Sequence, residues 1–318
     1  MLLVCALFPL IWVGGLVTTY DAGMAVPDWP NTYGYNLLLY PWQTWLLGPW
    51  DLFIEHGHRL LGAAAGLVAI GLAVVTWRCE SRGWVRGLGL AMLAAVVAQG
   101  VLGGMRVLLD ERVLAMLHGT TGPAVFALAT GLATCTSARW RTTERRTDAG
   151  GSALARLALV TTLLAYLQLV IGAGLRHRPL VIDAVAFRAL VLFHLLIAAM
   201  LLLHIGLIVW RAATTTRRDP WLVRPAAVLG LLIVVQLLLG AATWVTNYGW
   251  PAWLSAYPWA AAYVPQARSA LQSHVTTAHV AAGSLILVTS LLLALRAVRS
   301  YRAPARSSHP AWLLEVAT

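Results

Sequence analysis

The chain has 318 residues, of which 59% are hydrophobic and only 11% are charged, and its formal net charge is +11. Soluble globular proteins carry roughly 25% charged residues, so this composition excludes a soluble fold and indicates a membrane protein. The basic residues are all arginines, and they form short clusters between apolar runs rather than one basic surface. This distribution is typical of membrane orientation signals and argues against a nucleic-acid partner.

Eight apolar runs are long enough to cross a bilayer, for which about 20 residues are needed. They lie at about residues 2–19, 57–77, 84–105, 113–137, 154–175, 187–210, 222–245 and 275–295. Strands of a membrane barrel would alternate in polarity over about half that length, so the runs predict helices surrounded by lipid. The first run lacks the basic start of a signal peptide and is predicted to remain a helix.

Arginines concentrate after the second, fourth and sixth runs and in the C-terminal tail. Because positive loops stay on the cytoplasmic side, both termini are predicted to be cytoplasmic, in a membrane that we take to be a bacterial plasma membrane. Two longer outer loops, near 20–54 and 246–270, are rich in aromatic residues and proline. They are expected to lie on the outer membrane face, either as interfacial anchors alone or as covers over a site.

The two halves of the chain repeat one pattern, in which a histidine is followed four residues later by a small residue. The pairs are His58 with Gly62, His118 with Gly122, His194 with Ala198, and His279 with Gly283. Three other helices carry Gln-x-x-x-Gly at Gln99, Gln168 and Gln236. The repeat predicts an all-α integral membrane protein with about eight transmembrane helices in two pseudo-symmetric four-helix bundles. We divide the chain into a first bundle (1–140), a cytoplasmic linker (141–153), a second bundle (154–300) and a cytoplasmic tail (301–318).

The four repeated histidines all fall near the outer ends of even-numbered runs. Two imidazoles that face each other across a helical bundle are the axial ligands of a heme iron. We therefore predict one heme between His58 and His118 and another between His194 and His279. A lone buried histidine is more often a hydrogen-bonded structural residue, but the matching register favours ligation here. His274 stays open as an alternative to His279.

Glu55 stands three residues before His58, on the same helical face and at the membrane boundary. One interpretation is an exposed carboxylate at a helix start, where the helix dipole favours negative charge. The other is a proton acceptor or charge stabiliser beside the iron-bound ligand. The sequence leaves both open.

Several sequence motifs of this chain resemble those of the heme A synthase family. They are DAGMAVPDWP at 21–30 followed by NTYG, EHGHRLLG at 55–62, QGVLGG at 99–104 with Arg106, and HG at 118–119. The resemblance covers nearly the whole chain and is strongest in its N-terminal half. Many members of the family carry a cysteine pair in the first outer loop, whereas residues 20–54 of this chain contain no cysteine.

The resemblance implies an oxidoreductase of cytochrome oxidase assembly, which converts a ring methyl of heme O to the formyl group of heme A in two successive oxidations. In this family the pair matched by His58 and His118 holds the substrate heme. The pair matched by His194 and His279 holds a heme b cofactor that passes electrons. The family's acidic residue corresponds to Glu55, which implies a catalytic set of Glu55, His58 and His118 and four histidine iron ligands. A heme O synthase is implied as the source of substrate.

Two other classes of function are weighed against this one. A diheme b-type cytochrome for electron transfer commonly stacks its hemes across the bilayer, which requires two histidines about four turns apart on one helix. No apolar run of this sequence shows that pattern. A transporter would place ionisable groups near the midplane, whereas the polar groups here gather in the outer third. Membrane lipid is the expected environment, and the sequence leaves a homo-oligomer open.

Overall fold

The computed structural model describes residues 1–177, 183–216, 219–254 and 256–302. Within these residues, eight helices are long and apolar enough to cross a membrane, which confirms the predicted all-α membrane fold with eight spans. In chain order they are α1 (Leu2–Thr19), α2 (Trp50–Cys79), α3 (Gly83–Leu109), α4 (Arg112–Cys135), α5 (Ala149–Arg176), α6 (Ala184–Thr215), α7 (Pro220–Tyr248) and α8 (Ala270–Ser300).

The later helices begin several residues before the apolar runs that predicted them, because polar caps set their first turns. The side chains of Asp148, Asp183, Asp219 and Ser269 each accept a hydrogen bond from a backbone N–H in the first turn of α5, α6, α7 and α8, respectively. Such a cap stabilises a helix by about 1 kcal/mol. Hydropathy excludes these polar residues from a run, although they determine where the helix starts.

Each half of the chain forms its own set of packed helices. In the first half α1 packs on α2 and α4, and α3 packs on α2 and α4; in the second half α8 packs on α5 and α7, and α6 also packs on α5 and α7. Helix α8 also packs on α1 and α4, and it therefore joins the halves. We call the end where α1 begins the inner end and the opposite end the outer end.

A short parallel pair of strands joins the two halves at the inner end. Strand β1 (Arg146–Thr147) pairs with β2 (Tyr301–Arg302). The predicted linker 141–153 overlaps a short helix, Ala138–Thr142, and the first turns of α5. The division into two bundles and a linker stays a prediction, and the predicted tail lies outside the described residues from 303 onward.

The outer loop between α1 and α2 folds back over the start of α2. The Asp28 carboxylate accepts hydrogen bonds of 2.8 Å from the backbone N–H groups of Tyr33 and Gly34. Gly34 has a φ of 80°, a conformation that glycine adopts without strain. Partial burial tends to raise the pKa of Asp28, but these two backbone hydrogen bonds and the Arg59 charge hold it below its usual value. Asp28 therefore stays ionised and keeps the turn closed at neutral pH.

Reporter fusions test the predicted orientation. Fusions that end after Glu80 or Asp148, both at the inner end, are expected to read cytoplasmic, because arginine clusters flank these positions. Fusions after Asn36 or Tyr263, both in outer loops, should read external and serve as the matched controls. A paired fluorescent and phosphatase reporter gives opposite signals on the two sides. An external signal at Glu80 or Asp148 would show that the assignment of sides is wrong.

Candidate functional site

The four repeated histidines form two pairs with the same spacing. The ring centres of His58 on α2 and His118 on α4 are 6.3 Å apart, with an angle of 90° between their planes. The ring centres of His194 on α6 and His279 on α8 are also 6.3 Å apart, with an angle of 61°. Each pair lies toward the outer end and bridges two helices of one half.

This spacing fits one iron between each pair of rings. An imidazole nitrogen binds a first-row metal at about 2.0 Å and lies about 1.1 Å from its ring centre, so two opposed rings sharing one metal have centres roughly 6 Å apart. Within the described residues, no three His, Cys, Asp or Glu side chains converge as a protein-only metal site would require. Heme iron needs only two axial protein ligands, because the porphyrin supplies the other four.

Each histidine ring rests against a glycine of a neighbouring helix. A Cβ atom added to Gly14, Gly103, Gly172 or Gly240 would lie 2.8, 3.2, 3.3 or 3.1 Å from Cε1 of His58, His118, His194 or His279, respectively. Ordinary carbon contacts are about 3.5–4.0 Å, so any side chain at these positions would push the imidazole out of place. Three of these glycines end the Gln-x-x-x-Gly motifs, which gives those motifs a structural role.

The fourth glycine, Gly14, belongs to a motif that sequence reasoning missed. Helix α1 carries Leu10-x-x-x-Gly14, in which leucine takes the place of glutamine. In three of the four motifs, the backbone carbonyl of the first residue lies close to the facing histidine. These carbonyls belong to Leu10, Gln99 and Gln236, which face His58, His118 and His279, respectively. These three motifs thus share a carbonyl and a glycine one helical turn apart, and neither requires the glutamine side chain.

The Nδ1 atom is the enclosed nitrogen of each of the four rings. In all four rings Nδ1 is buried and has no hydrogen-bond partner among the described residues, although the residue as a whole is only half-buried. In metal-bound histidines the second ring nitrogen usually faces a backbone carbonyl, which fixes the tautomer. The four rings therefore present Nε2 as the nitrogen available to a ligand.

Two of the motif glutamines tie their helix to a histidine helix. Gln99 Nε2 donates to Thr121 Oγ1 on α4 at 2.5 Å, and Gln168 Nε2 donates to the backbone oxygen of His194 at 2.9 Å. These bonds hold the helix that carries the glycine against the helix that carries the ligand.

Glu55 is buried, and the interpretation as an exposed carboxylate at a helix start is wrong. The side chain is enclosed, with the residue 3% exposed. Its Oε2 accepts from the backbone N–H of Val26 at 2.8 Å, and its Oε1 accepts from Arg59 Nη2 at 2.9 Å. Glu55 therefore anchors the outer loop directly above the His58 turn. Its role as a proton acceptor stays a prediction.

Arg59 extends this contact into a clasp between α2 and the outer loop. Its guanidinium donates to the backbone oxygens of Val26, Asp28 and Asn31 at 2.6, 2.5 and 2.8 Å. With the Glu55 ion pair, the guanidinium thus binds one carboxylate and three carbonyls. We call Glu55 and Arg59 the loop clasp.

Trp29 fixes the same loop to α3. Its indole packs directly on Gly104, so closely that a Cβ atom at that position would overlap the ring. Together with the loop clasp, this contact closes the outer end of the first half with residues 22–35.

His56, one residue after Glu55, is buried beneath the outer loop. Its Nδ1 lies 3.0 Å from Thr32 Oγ1, and its ring lies beside Tyr40 and Trp45, with centres 5.0 and 5.4 Å away. The residue is 2% exposed because the loop folds over it. His56 therefore supports the cap of the first half.

The structure separates the two candidates on α8. His279 lies beside His194, whereas the exposed His274 has Trp12 of α1 as its ring neighbour, with centres 6.4 Å apart. The two residues are five positions apart, about 140° around a helix. His279, not His274, therefore has the geometry of a partner for His194.

Residues 50–187 match the model of the COX15-CtaA family, described as a cytochrome oxidase assembly protein. The match confirms the resemblance to the heme A synthase family over that range. The matched range contains Glu55, His58 and His118 and ends before His194.

Two curated proteins, one from each of two strains of Halobacterium salinarum, are also similar to this chain. Both are named protoheme IX farnesyltransferase, and each is 29% identical over 184 residues. The alignments cover 53% of this chain and 40% or 38% of those proteins. The chain thus spans about two fifths of the length of the curated relatives that it matches.

Proposed function

We propose that the protein is a heme A synthase, which oxidises a ring methyl of heme O to the formyl group of heme A. The observation that carries this proposal is the facing pair His58 and His118, located inside the range that matches the COX15-CtaA family. The equal spacing of His194 and His279 supports a second, resident heme, which we propose to be heme b.

In this proposal His58 and His118 hold the iron of the substrate, and His194 and His279 hold that of the cofactor. When bound, heme b would carry the electrons removed from the methyl carbon to an oxidant outside the protein, because side chains alone cannot oxidise an unactivated C–H bond. The glycines orient each imidazole so that Nε2 faces the iron. The loop clasp and Trp29 close the outer end over the substrate pair, which excludes bulk water from the reacting edge.

We assign Glu55 as the acceptor of protons released during the two oxidations. Each of its carboxylate oxygens already accepts one hydrogen bond and retains a second lone pair. It lies one turn from His58, within the closed part of the first half. The same residue would thus both position the loop and accept a proton.

The relatives are named protoheme IX farnesyltransferase, which supports a link to heme O metabolism, since a farnesyl group on protoheme is what distinguishes heme O. We propose that a heme O synthase delivers the substrate within a bacterial plasma membrane, with both termini of this chain in the cytoplasm. Eight apolar spans support the membrane location.

The test is to express the full chain with a source of heme O and to separate the extracted hemes by chromatography. We expect a new formyl-bearing heme beside protoheme, and none from His58→Ala. A formyl heme at the parent level in that variant would contradict the assignment of the first site.

The equal geometry of the two pairs also fits an electron carrier, which is the second candidate. Two reversibly reducible hemes with no new heme product would support a diheme cytochrome. Farnesylation of protoheme by the purified chain, without a formyl product, would instead support the activity named for the relatives.

The three cysteines give a further prediction. Cys5, Cys79 and Cys135 lie near the inner ends of α1, α2 and α4, and all three are free thiols. The histidine pairs are toward the outer end, and thiol chemistry requires direct contact between the reacting atoms. We expect a triple Cys→Ala variant to make heme A within about twofold of the parent rate. A variant that retains heme b but makes no heme A would contradict this expectation.

A further inference from the structure

Three nitrogen-bearing side chains contact segments next to the His58–His118 pair, at its outer side. They are Arg106 on α3, Arg176 at the end of α5, and His177, which follows it. We call them the outer basic cluster. Two of the three come from the second half of the chain, although the histidine pair that they adjoin belongs to the first.

Each member of the cluster lies next to a residue that holds the histidine pair. Arg106 follows Gly103 by three residues and donates to the backbone oxygen of Gly23 in the outer loop. Arg176 donates to the backbone oxygen of Gly15 at 2.6 Å, and also to Thr19 Oγ1. Gly15 directly follows Gly14, on which the His58 ring rests.

His177 completes the cluster beside His118. Its Nε2 lies 3.7 Å from where a Cβ atom of Gly119 would be, and Gly119 directly follows His118. His177 thus brings a ring nitrogen to the outer side of His118, and the two arginines bring two positive charges.

Within the part of the chain that the structure describes, neither arginine of the cluster forms an ion pair. Among the described residues, the ion pairs use Arg59, Arg82, Arg139 and Arg268. Asp21, Glu55 and Asp110 attract Arg106 from beyond ion-pair distance, and no acidic group among the described residues interacts with Arg176. A buried guanidinium without a counter-charge within ion-pair distance is costly, so buried charges usually pair with another group or a ligand.

The second half does not repeat this arrangement at its own histidine pair. Arg106 follows Gly103, the glycine against which the His118 ring rests, by three residues. The position in α7 that matches Arg106, three residues after Gly240, is the uncharged Thr243. At this position of the repeat, a positive charge is therefore present in α3 and absent from α7.

We propose that the outer basic cluster binds the two propionate carboxylates of the porphyrin held between His58 and His118. This inference rests on the proposed function for the presence of a heme there. Two guanidiniums match two carboxylates in charge, and guanidinium binds carboxylate through paired hydrogen bonds. The cluster thus fixes the rotation of the porphyrin about the iron axis. Because Arg176 and His177 belong to the second half, the substrate site is complete only when both halves are packed together.

The test compares iron protoporphyrin IX with its dimethyl ester, in which both carboxylates are blocked. Each is titrated by absorption spectroscopy into the purified full chain that already contains heme b. The diacid is expected to bind at least about tenfold more tightly than the diester, since two charge-assisted contacts are lost in the ester. Arg106→Gln and Arg176→Gln should weaken diacid binding about tenfold and leave diester binding within about twofold. The control is Arg112→Gln, an exposed arginine at the outer start of α4, which should leave both unchanged.

Equal affinity for diacid and diester in the parent protein would overturn the proposal without any substitution. Equal weakening of both ligands in the arginine variants would also overturn it, because the arginines would then only support the fold. If Arg176→Gln fails to retain heme b, Arg176→Lys keeps the charge and should retain most of the preference for the diacid; loss of that preference would contradict charge recognition at this position. If neither porphyrin gives the absorption spectrum of histidine-bound iron, the result would contradict the proposed function, and this inference with it.

Discussion

Replacing His194 or His279 with alanine is expected to remove the heme b that we propose for the second half, whereas replacing His58 or His118 should leave it in place. Loss of one of two axial ligands lowers retention by more than about 100-fold, since even changes around a ligand cost 10- to 100-fold. Heme b content per chain, measured on purified protein after extraction, reports the outcome directly. All four variants should fail to make heme A. In the proposed function, the His194 and His279 variants would lack the electron path, and the His58 and His118 variants would lack a ligand of the substrate iron.

His274→Ala is the matched control for His279→Ala, because both residues lie on α8. It is expected to retain heme b, since its ring neighbour is Trp12 rather than His194. Loss of heme b from His274→Ala together with retention in His279→Ala would show that the pairing in the second half is wrong. Loss of heme b from the His58 and His118 variants would show that the two sites are not independent.

The helices and the register of the histidines could be predicted because both depend on local periodicity. An apolar run of about 20 residues has few alternatives to a helix in lipid, and a histidine at matching positions of four helices is visible in the sequence alone. The helix starts were less predictable, since residues such as Asp148 and Asp183 act as caps although hydropathy counts them as loop.

The environment of the site could not be predicted, because it comes from contacts between distant segments. Glu55 and His56 are polar residues at a membrane boundary, which suggests exposure, but the outer loop folds over both. The glycines four residues after the histidines drew attention in the sequence, yet Gly62 and Gly122 touch no other segment closely. The glycines that shape the site lie on neighbouring helices, and nothing in a single sequence reveals which helices are neighbours.

These contacts predict a large effect from adding a side chain at a supporting glycine. Gly103→Leu is expected to displace the His118 ring, because even a Cβ atom would approach its Cε1 to 3.2 Å. Leucine is favourable within a helix, so α3 itself should persist. We expect heme A formation to fall by more than about tenfold while heme b is retained, since overpacking forces the neighbouring ring out of position. The measurement is the ratio of heme A to heme b in the purified protein.

Gly100→Leu, one turn earlier on the same helix, is the matched control, because a Cβ atom there would have no neighbour within 4 Å. It should leave both hemes at parent levels. Gly240→Leu gives the mirror result: the Cβ position lies 3.1 Å from Cε1 of His279, so heme b should be lost. Similar losses from Gly100→Leu and Gly103→Leu would mean that α3 tolerates no bulk at all, and the specific contact with His118 would not be the cause. The opposite pattern of heme loss in Gly103→Leu and Gly240→Leu is the result that two separate but equivalent histidine sites require.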